Sequence, residues 1–353
     1  MLDDFKKILF LLRSDAGVKS GGDLVQAKFY QRVLEERIAC KVYFFHELPL
    51  AEVKKVSWDL VQVFNVSRLH ENMALLQGVK YRRLLLSPIV QPGFRFGLRL
   101  AVKNFIRNCL WDRASFHHFL KEPEELLGRF DGFVFLSEAE SEAFFKSFPA
   151  CAGGESVIYQ NGVADEIAHG EHERFFDFIV VGRIEPKKRV VEAVDAVAKA
   201  APNSLLVCIG GINWYHPSYC FKFFLRVLKG NVIYLGRRDP SVVYGFMRRA
   251  RVLLNFSELE VSPLVDLEAL ACGCNVVSTT YSYSHLSDSE RYCRVDVKDM
   301  EQCFAAITQS LGSEGCKCMK INTWVENSGA YLGLVRQFLE VNEDYGVAEC
   351  IAP

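Results

Sequence analysis

The stretch NFSELEVSPLVDLEALACGCNVVST, residues 255–279, decides how this chain folds. Val252 to Phe256 is a short apolar run of the kind that forms a buried strand, and Ser257 to Ser262 is polar and reads as a loop. Pro263 opens a helix that continues through Leu270 and stops at Cys272-Gly273. A strand, a loop and a helix in that order are half of a parallel β/α unit. The loop then lies at the carboxyl end of a strand, where ligands bind in an open α/β sheet. Glu260 falls in that loop and Glu268 in the second turn of the helix, with seven residues between them.

Upstream, an apolar strand from Phe178 to Val181 runs into Gly182-Arg183-Ile184-Glu185-Pro186-Lys187-Lys188, and a helical pattern follows from Val190 to Ala200. Cations are disfavoured near a helix N-terminus, so this turn is expected to meet an anion. Arg183 offers a planar fork to phosphate oxygens and Lys188 a compact point charge. Near the start of the chain, Lys19-Ser20-Gly21-Gly22-Asp23 separates an apolar strand, Ile8 to Leu12, from a helical stretch, Leu24 to Glu36. Paired glycines there let backbone amides approach an anion at the helix N-terminus. The spacing is not G-x-G-x-x-G, which disfavours a nicotinamide enzyme.

Together these segments resemble the nucleotide-sugar glycosyltransferases of family 4. Ser257, Glu260, Glu268, Ala269, Ala271 and Gly273 follow that family's Ser-x-x-Glu, seven residues, Glu-Ala-x-Ala-x-Gly signature, and Gly182, Arg183 and Lys188 resemble its Gly-Arg-x-x-x-x-Lys turn. Smaller echoes keep the same order: Asn161-Gly162-Val163, Leu206 to Gly211, and Asn231 to Gly236 followed by Arg237 and Arg238. The resemblance implies a GT-B architecture, two Rossmann-like α/β domains with parallel sheets facing across a cleft. It implies a metal-independent, retaining hexosyl transfer from a nucleotide-diphosphate sugar, UDP or GDP form undecided, to a saccharide or polyprenyl-linked acceptor in polysaccharide, lipopolysaccharide or glycolipid synthesis. Catalytic roles are carried over to Arg183, Lys188 and Glu260. Donor contacts are carried over to Gly21, Gly22, Gly182, Arg183, Lys188, Glu260, Ser262, Leu264 and Glu268, with Glu268 on the ribose and Glu260 on the sugar hydroxyls. No cofactor and no metal are implied, since the two cations take the place of one.

Two departures are visible. Relatives commonly carry Gly-Phe-Gly after the first glutamate, where this chain has Val261-Ser262-Pro263, and Glu258 becomes a second candidate for the sugar. Many also carry a histidine after a first-domain strand, where this chain reads Leu86-Ser87-Pro88-Ile89; Ser87 is taken as an acceptor-side residue but cannot act as an acid or base like imidazole. Two other classes therefore stay open: a nucleotide-sugar epimerase or hydrolase, and a catalytically silent sugar-nucleotide-binding partner.

The 353 residues are half hydrophobic and 24% charged, which describes a folded chain long enough for two domains. The expected division is 1–163, an acceptor-side Rossmann-like domain; 164–173, a linker; 174–323, the nucleotide-sugar domain; and 324–353, a helix returning to the first domain. Strands are expected at Ile8 to Leu12, Lys41 to Phe45, Leu60 to Val66, Arg83 to Ile89 and Gly132 to Leu136. A net charge of −1 argues against nucleic acid as a partner. The twelve cysteines form no C-x-x-C pair and are read as buried free thiols. With no signal-peptide pattern and no apolar run long enough to span a bilayer, a cytoplasmic location is expected, the cytoplasmic face of the inner membrane being the other possibility. In 94–121, Arg95, Arg99, Lys103 and Arg107 recur every four residues, a basic stripe opposite an apolar one. Such a helix either lies on an anionic membrane or packs on its own sheet. Arg95 and Arg99 are carried forward as acceptor-side candidates.

Overall fold

The computed structural model describes residues 5–13, 16–17, 21–90, 123–167, 173–258, 260–279, 286, 290–296, 298–312, 319–340 and 348–349. The chain forms two compact units, Met1–Asn161 with Trp324–Pro353, and Gly162–Thr323. Residues 94–121, with Arg95 and Arg99, and residues 168–172 of the expected linker lie outside the described residues.

In the first unit the chain runs β1 (Lys6–Leu11), α1 (Gly22–Arg37), β2 (Cys40–Phe44), α2 (Leu50–Val53), β3 (Ser57–Phe64), α3 (Leu69–Leu75), β4 (Lys80–Ser87), α4 (Pro123–Leu127), β5 (Gly132–Phe135), α5 (Glu138–Ser147) and β6 (Glu155–Ile158). Six strands pair in parallel in the order β2-β1-β3-β4-β5-β6, so the order reverses between β1 and β3. β3 and β4 begin three residues before the apolar runs that mark them in the sequence. Their first residues are polar because an aspartate ties the strand ends together: the Lys7 amide donates to Asp59 Oδ2 at 2.8 Å, and Arg82 lies 3.6 Å from Asp59 Oδ1.

The second unit continues with β7 (Phe176–Val181), α6 (Val190–Ala200), β8 (Leu206–Ile209), α7 (Pro217–Lys229), β9 (Val232–Tyr234), α8 (Pro240–Met247), β10 (Ala250–Asn255), α9 (Leu264–Ala271), β11 (Asn275–Ser278), β12 (Tyr292–Arg294) and α10 (Met300–Gly312). All six strands are parallel, in the order β12-β11-β10-β7-β8-β9. The chain enters at the middle of the sheet, winds outwards to β9, returns to β10 beside β7 and winds outwards the other way. This is the dinucleotide-fold order, and its reversal lies between β7 and β10. The helices bury one apolar face, as α6 does with Val190, Val191, Val194 and Val197.

After the second unit, α11 (Gly329–Glu340) lies in the first, followed by β13 (Ala348–Glu349), which pairs antiparallel with β4. Tyr331 of α11 stacks on Tyr159 at 4.9 Å and donates its hydroxyl to Gln62 Oε1 at 2.6 Å. The buried hydroxyl is thus satisfied, which burial requires.

Arg174 fastens the amino-end side of the second unit. One guanidinium nitrogen, Nη1, donates to the Arg248 and Ala250 carbonyls at 2.7 and 2.9 Å, and the other, Nη2, to Gly273 O at 2.9 Å. These carbonyls follow α8 and α9, where helix carbonyls lack intrahelical partners and the dipole favours a cation. Arg174→Leu is expected to lower the stability of the folded chain by about 3 kcal/mol, because several half-buried carbonyls lose their donor at once. Urea unfolding checks this, and a loss below about 0.5 kcal/mol would contradict it.

Candidate donor site at the strand reversal of the second unit

The loops that leave β7 and β10 emerge side by side, because their strands are neighbours, and they are stitched together along their length. The Glu258 amide donates to Lys187 O at 2.8 Å. Lys188 Nζ forms an ion pair with Glu260, and Arg189 lies 3.7 Å from Glu258. Arg189 sits at φ 47° as the residue before α6, and this left-handed residue turns the chain out of the short Pro186–Lys188 helix. The turn is what aims Lys188 across at Glu260.

Arg183 stands at the rim of this crevice with its side chain 57% exposed, while its partner Glu185 is buried. Nη2 of Arg183 reaches Glu185 Oε1 at 3.0 Å, and the other carboxylate oxygen accepts from Asn213 Nδ2 at 2.7 Å. One buried carboxylate thus orients an exposed cation. Behind it the strand ends pack tightly: a Cβ on Gly210 would lie 1.9 Å from Gly182 O, so only glycine fits there. Gly182 itself leaves room for the stem of Lys188, whose Cγ would be 3.7 Å from an added Cβ.

Glu268 is half-buried on α9 and accepts from the Tyr244 hydroxyl at 3.0 Å. Desolvation pushes its carboxyl up to about 6, partly offset by that hydrogen bond. Its second oxygen has no hydrogen-bond partner among the described residues. Ser262 and Leu264 are half-buried just before and at the start of the same helix. Below them lies a group that the sequence reading did not single out. Asp266 is fully buried; Asn255 Nδ2 donates to its Oδ1 at 2.7 Å and the Tyr292 hydroxyl to its Oδ2 at 3.1 Å. Asn255 in turn accepts from the Ser257 amide and hydroxyl at 3.3 and 2.6 Å. This chain of bonds fixes the last residue of β10, the first of the loop and the first turn of α9 in one geometry. Only its position between two glutamates, inside the stretch first quoted, could have drawn notice to Asp266.

In the first unit Gly21 precedes α1 and Gly22 is its first residue, following β1 at that sheet's own reversal. A Cβ on Gly21 would lie 2.6 Å from Asp23 Oδ1 and 2.8 Å from Arg13 Nη2, which form an ion pair with each other. Ser87, expected on the acceptor side, is buried at the end of β4, and its hydroxyl accepts from Gln62 Nε2 at 2.8 Å. The polar interior that holds Gln62 to Tyr331 takes up this hydroxyl as well. His70 is buried in α3, while His117 and His118 lie outside the described residues. Of the cysteines described, none forms a disulfide, and burial raises the thiols of Cys40 and Cys208 to about 12. No group of three or more metal-ligating side chains occurs among the described residues.

Desolvation raises the Asp266 carboxyl from 3.8 to about 7, against the hydrogen bonds from Ser278, Asn255 and Tyr292. The folded chain therefore holds this proton more tightly than the unfolded one. The stability it contributes is full below pH 3.8 and is lost as pH rises towards 7. Asp266→Asn is expected to flatten that part of the stability-against-pH curve, read by urea unfolding between pH 5 and 8 (about the window of this shift). An unchanged slope would contradict the assignment.

Residues 164–287 match the family described as Glycosyl transferases group 1. No curated protein matches the chain. Among solved structures it is similar to sucrose-phosphate synthase from Thermosynechococcus elongatus, at 13% identity over 95% of both chains with a TM-score of 0.65. It is also similar to Anabaena HepE in complex with UDP and glucose, at 17% identity over 95% of this chain and 97% of that one, TM-score 0.60. A third is an α,α-trehalose-phosphate synthase (UDP-forming) from Burkholderia xenovorans in complex with glucose-6-phosphate, at 13% identity over 94% and 96%, TM-score 0.61. The fold class is that of these structures, the GT-B class of two Rossmann-like units. With the signature residues Arg183, Lys188, Glu260 and Glu268 all inside the matched span, the chain matches the group 1 glycosyl transferases over residues 164–287.

Proposed function

We propose that the protein is a retaining, metal-independent glycosyltransferase that takes a sugar from a nucleotide-diphosphate sugar and passes it to a saccharide acceptor. The observation that carries this reading is the crevice at the β7/β10 reversal. There the segments that follow two adjacent strands carry two cations, Arg183 and Lys188, and two carboxylates, Glu260 and Glu268, and Lys188 pairs with Glu260 across the reversal. The free oxygen of Glu268 suits a ribose hydroxyl. Arg183 and Lys188 suit the diphosphate, whose charge grows as the glycosidic bond breaks and whose stabilisation is the main demand of the reaction. Gly21 and Gly22 stand at a helix N-terminus of the first unit, where backbone amides suit an anion.

Glu260 and Lys188 are already paired in the free protein, so binding exchanges partners. The diphosphate takes Lys188, and Glu260 is released to the sugar hydroxyls. Transfer with retention then passes through an oxocarbenium-like state. The C–O bond to the diphosphate breaks, the acceptor oxygen bonds to the same face of the sugar, and its proton goes to a phosphate oxygen. In the finer reading the acceptor is a polyprenyl-linked saccharide of polysaccharide or lipopolysaccharide synthesis, used at the cytoplasmic face of a membrane. No described helix is long and apolar enough to cross a membrane. UDP is the first nucleotide to test, since HepE was solved with UDP and the Burkholderia synthase is named UDP-forming.

Thermal melting with UDP, GDP and ADP and their sugar conjugates is expected to show a rise with one base, reduced at least about tenfold in apparent affinity by Lys188→Ala or Arg183→Ala. No rise with any nucleotide would contradict the reading. Acceptor-free conversion of the donor to an isomer would instead identify an epimerase. Glu268 must be ionised to accept two ribose hydrogen bonds, and its carboxyl lies at about 6. Nucleotide affinity is therefore expected to fall as pH drops through 6, and Glu268→Gln to bind weakly with no inflection there. The same inflection in the variant would remove Glu268 from the site.

A further inference from the structure

Between Asp195 and Asp239 the chain carries no acidic residue, while Lys199, Lys222, Arg226, Lys229, Arg237 and Arg238 are all basic. The same segment exposes an unusual amount of apolar surface. Trp214, Tyr215, Phe221 and Leu228 are 68%, 81%, 63% and 82% exposed, and Ile233 is exposed as well. Scattered single apolar residues on a surface mean nothing, but half of the large exposed ones among the described residues fall in this span.

The geometry of α7 explains how they come together. Its inner face buries Cys220 and Phe223 against the second unit. An outer face would ordinarily be polar. Here Phe221, Leu225 and Leu228 follow one another at helical spacing on the side away from that core, with Lys222 and Lys229 beside them. Leu225, Arg226 and Lys229 also border an open cavity of about 570 Å³ shared with α6. Lys222 and Lys229 bear on the choice of partner. Lysine is depleted at protein–protein interfaces, whereas Lys and Arg among Trp, Phe and Leu characterise helices that lie in a lipid headgroup layer. Long basic side chains can lay their stems on apolar surface and present the charge to phosphate, and Trp and Tyr prefer the same depth.

We propose that residues 214–229 form a docking surface for an anionic lipid bilayer. The surface starts at the donor site, since Asn213, next to Trp214, holds the Glu185 carboxylate that orients Arg183. Docking places that rim at the lipid boundary and selects an acceptor carried on lipid. This last step rests on the transfer reading, whereas the docking does not.

The test is co-sedimentation of the full chain, without nucleotide, with vesicles of phosphatidylcholine alone or mixed with phosphatidylglycerol. The wild-type protein is expected to bind the mixed vesicles preferentially and to be released by salt. Phe221→Ser/Leu228→Ser and, separately, Lys222→Glu/Lys229→Glu are expected to lose at least about tenfold in partitioning while melting as the wild type does. The proposal is overturned if the wild type ignores the mixed vesicles. It is equally overturned if both variants bind as the wild type does, which would move the contact to another segment such as 94–121. Lipid-free self-association abolished by Phe221→Ser/Leu228→Ser, with no vesicle binding, would reassign the surface to a second copy of the chain.

Discussion

The placement of β7 beside β10 is the constraint on which the second unit's chemistry depends. Where strand order reverses, the connections from two neighbouring strands diverge, and a crevice opens above their carboxyl ends. In this chain the crevice is not left as two independent loops. A backbone hydrogen bond from Glu258 to Lys187 and the ion pairs Lys188–Glu260 and Arg189–Glu258 run across it. Exposed ion pairs are worth little to stability. Their value here lies in position: they hold cations and carboxylates of opposite loops in register before any ligand arrives, so little ordering remains to be done on binding.

Below the crevice the same logic continues in the interior. Asp266 and Asn255 are both buried, and each is held by hydrogen bonds rather than left unpaired. Networks of this kind fix one geometry when they are complete. Asp266 touches none of the exposed site groups in a way that would bind a ligand, yet it ties together the strand, loop and helix that carry Glu260 and Glu268. Glu140 serves a comparable end in the first unit, where it accepts from the amides of Val90 and Leu136 at 2.7 and 2.6 Å. These connect the segments following β4 and β5.

Much of this was legible in the sequence, and for definite reasons. The strands at 178–181 and 206–209 and the helix at 190–200 were read with no more than two residues of error, because apolar periodicity and flanking glycine or proline mark them. The strands at 57–64 and 80–87 were read as starting three residues late because Ser57, Asp59, Lys80 and Arg82 make their first residues polar, and the Asp59–Arg82 ion pair that joins them is invisible to hydrophobic pattern. Arg183, Lys188, Glu260 and Glu268 could be named because they stand at fixed spacings in a family signature. Their partners could not. Asn213 and Tyr244 come to their places from distant parts of the chain, and only the three-dimensional path of the sheet joins Tyr244 to Glu268 and Asn213 to Glu185. Ser87 shows the converse: its place at a strand end could be read from the sequence, but not that its hydroxyl would be buried as an acceptor for Gln62.

The central claim is that the stitched loops of the β7/β10 reversal bind a nucleoside diphosphate. Amide hydrogen exchange of the full chain with and without saturating UDP or GDP tests it most directly, since it reports where binding occurs. Slowed exchange concentrated in residues 182–191 and 256–268 is the result this account predicts. Protection confined to other segments, or none at a nucleotide concentration that raises the melting temperature, would contradict it.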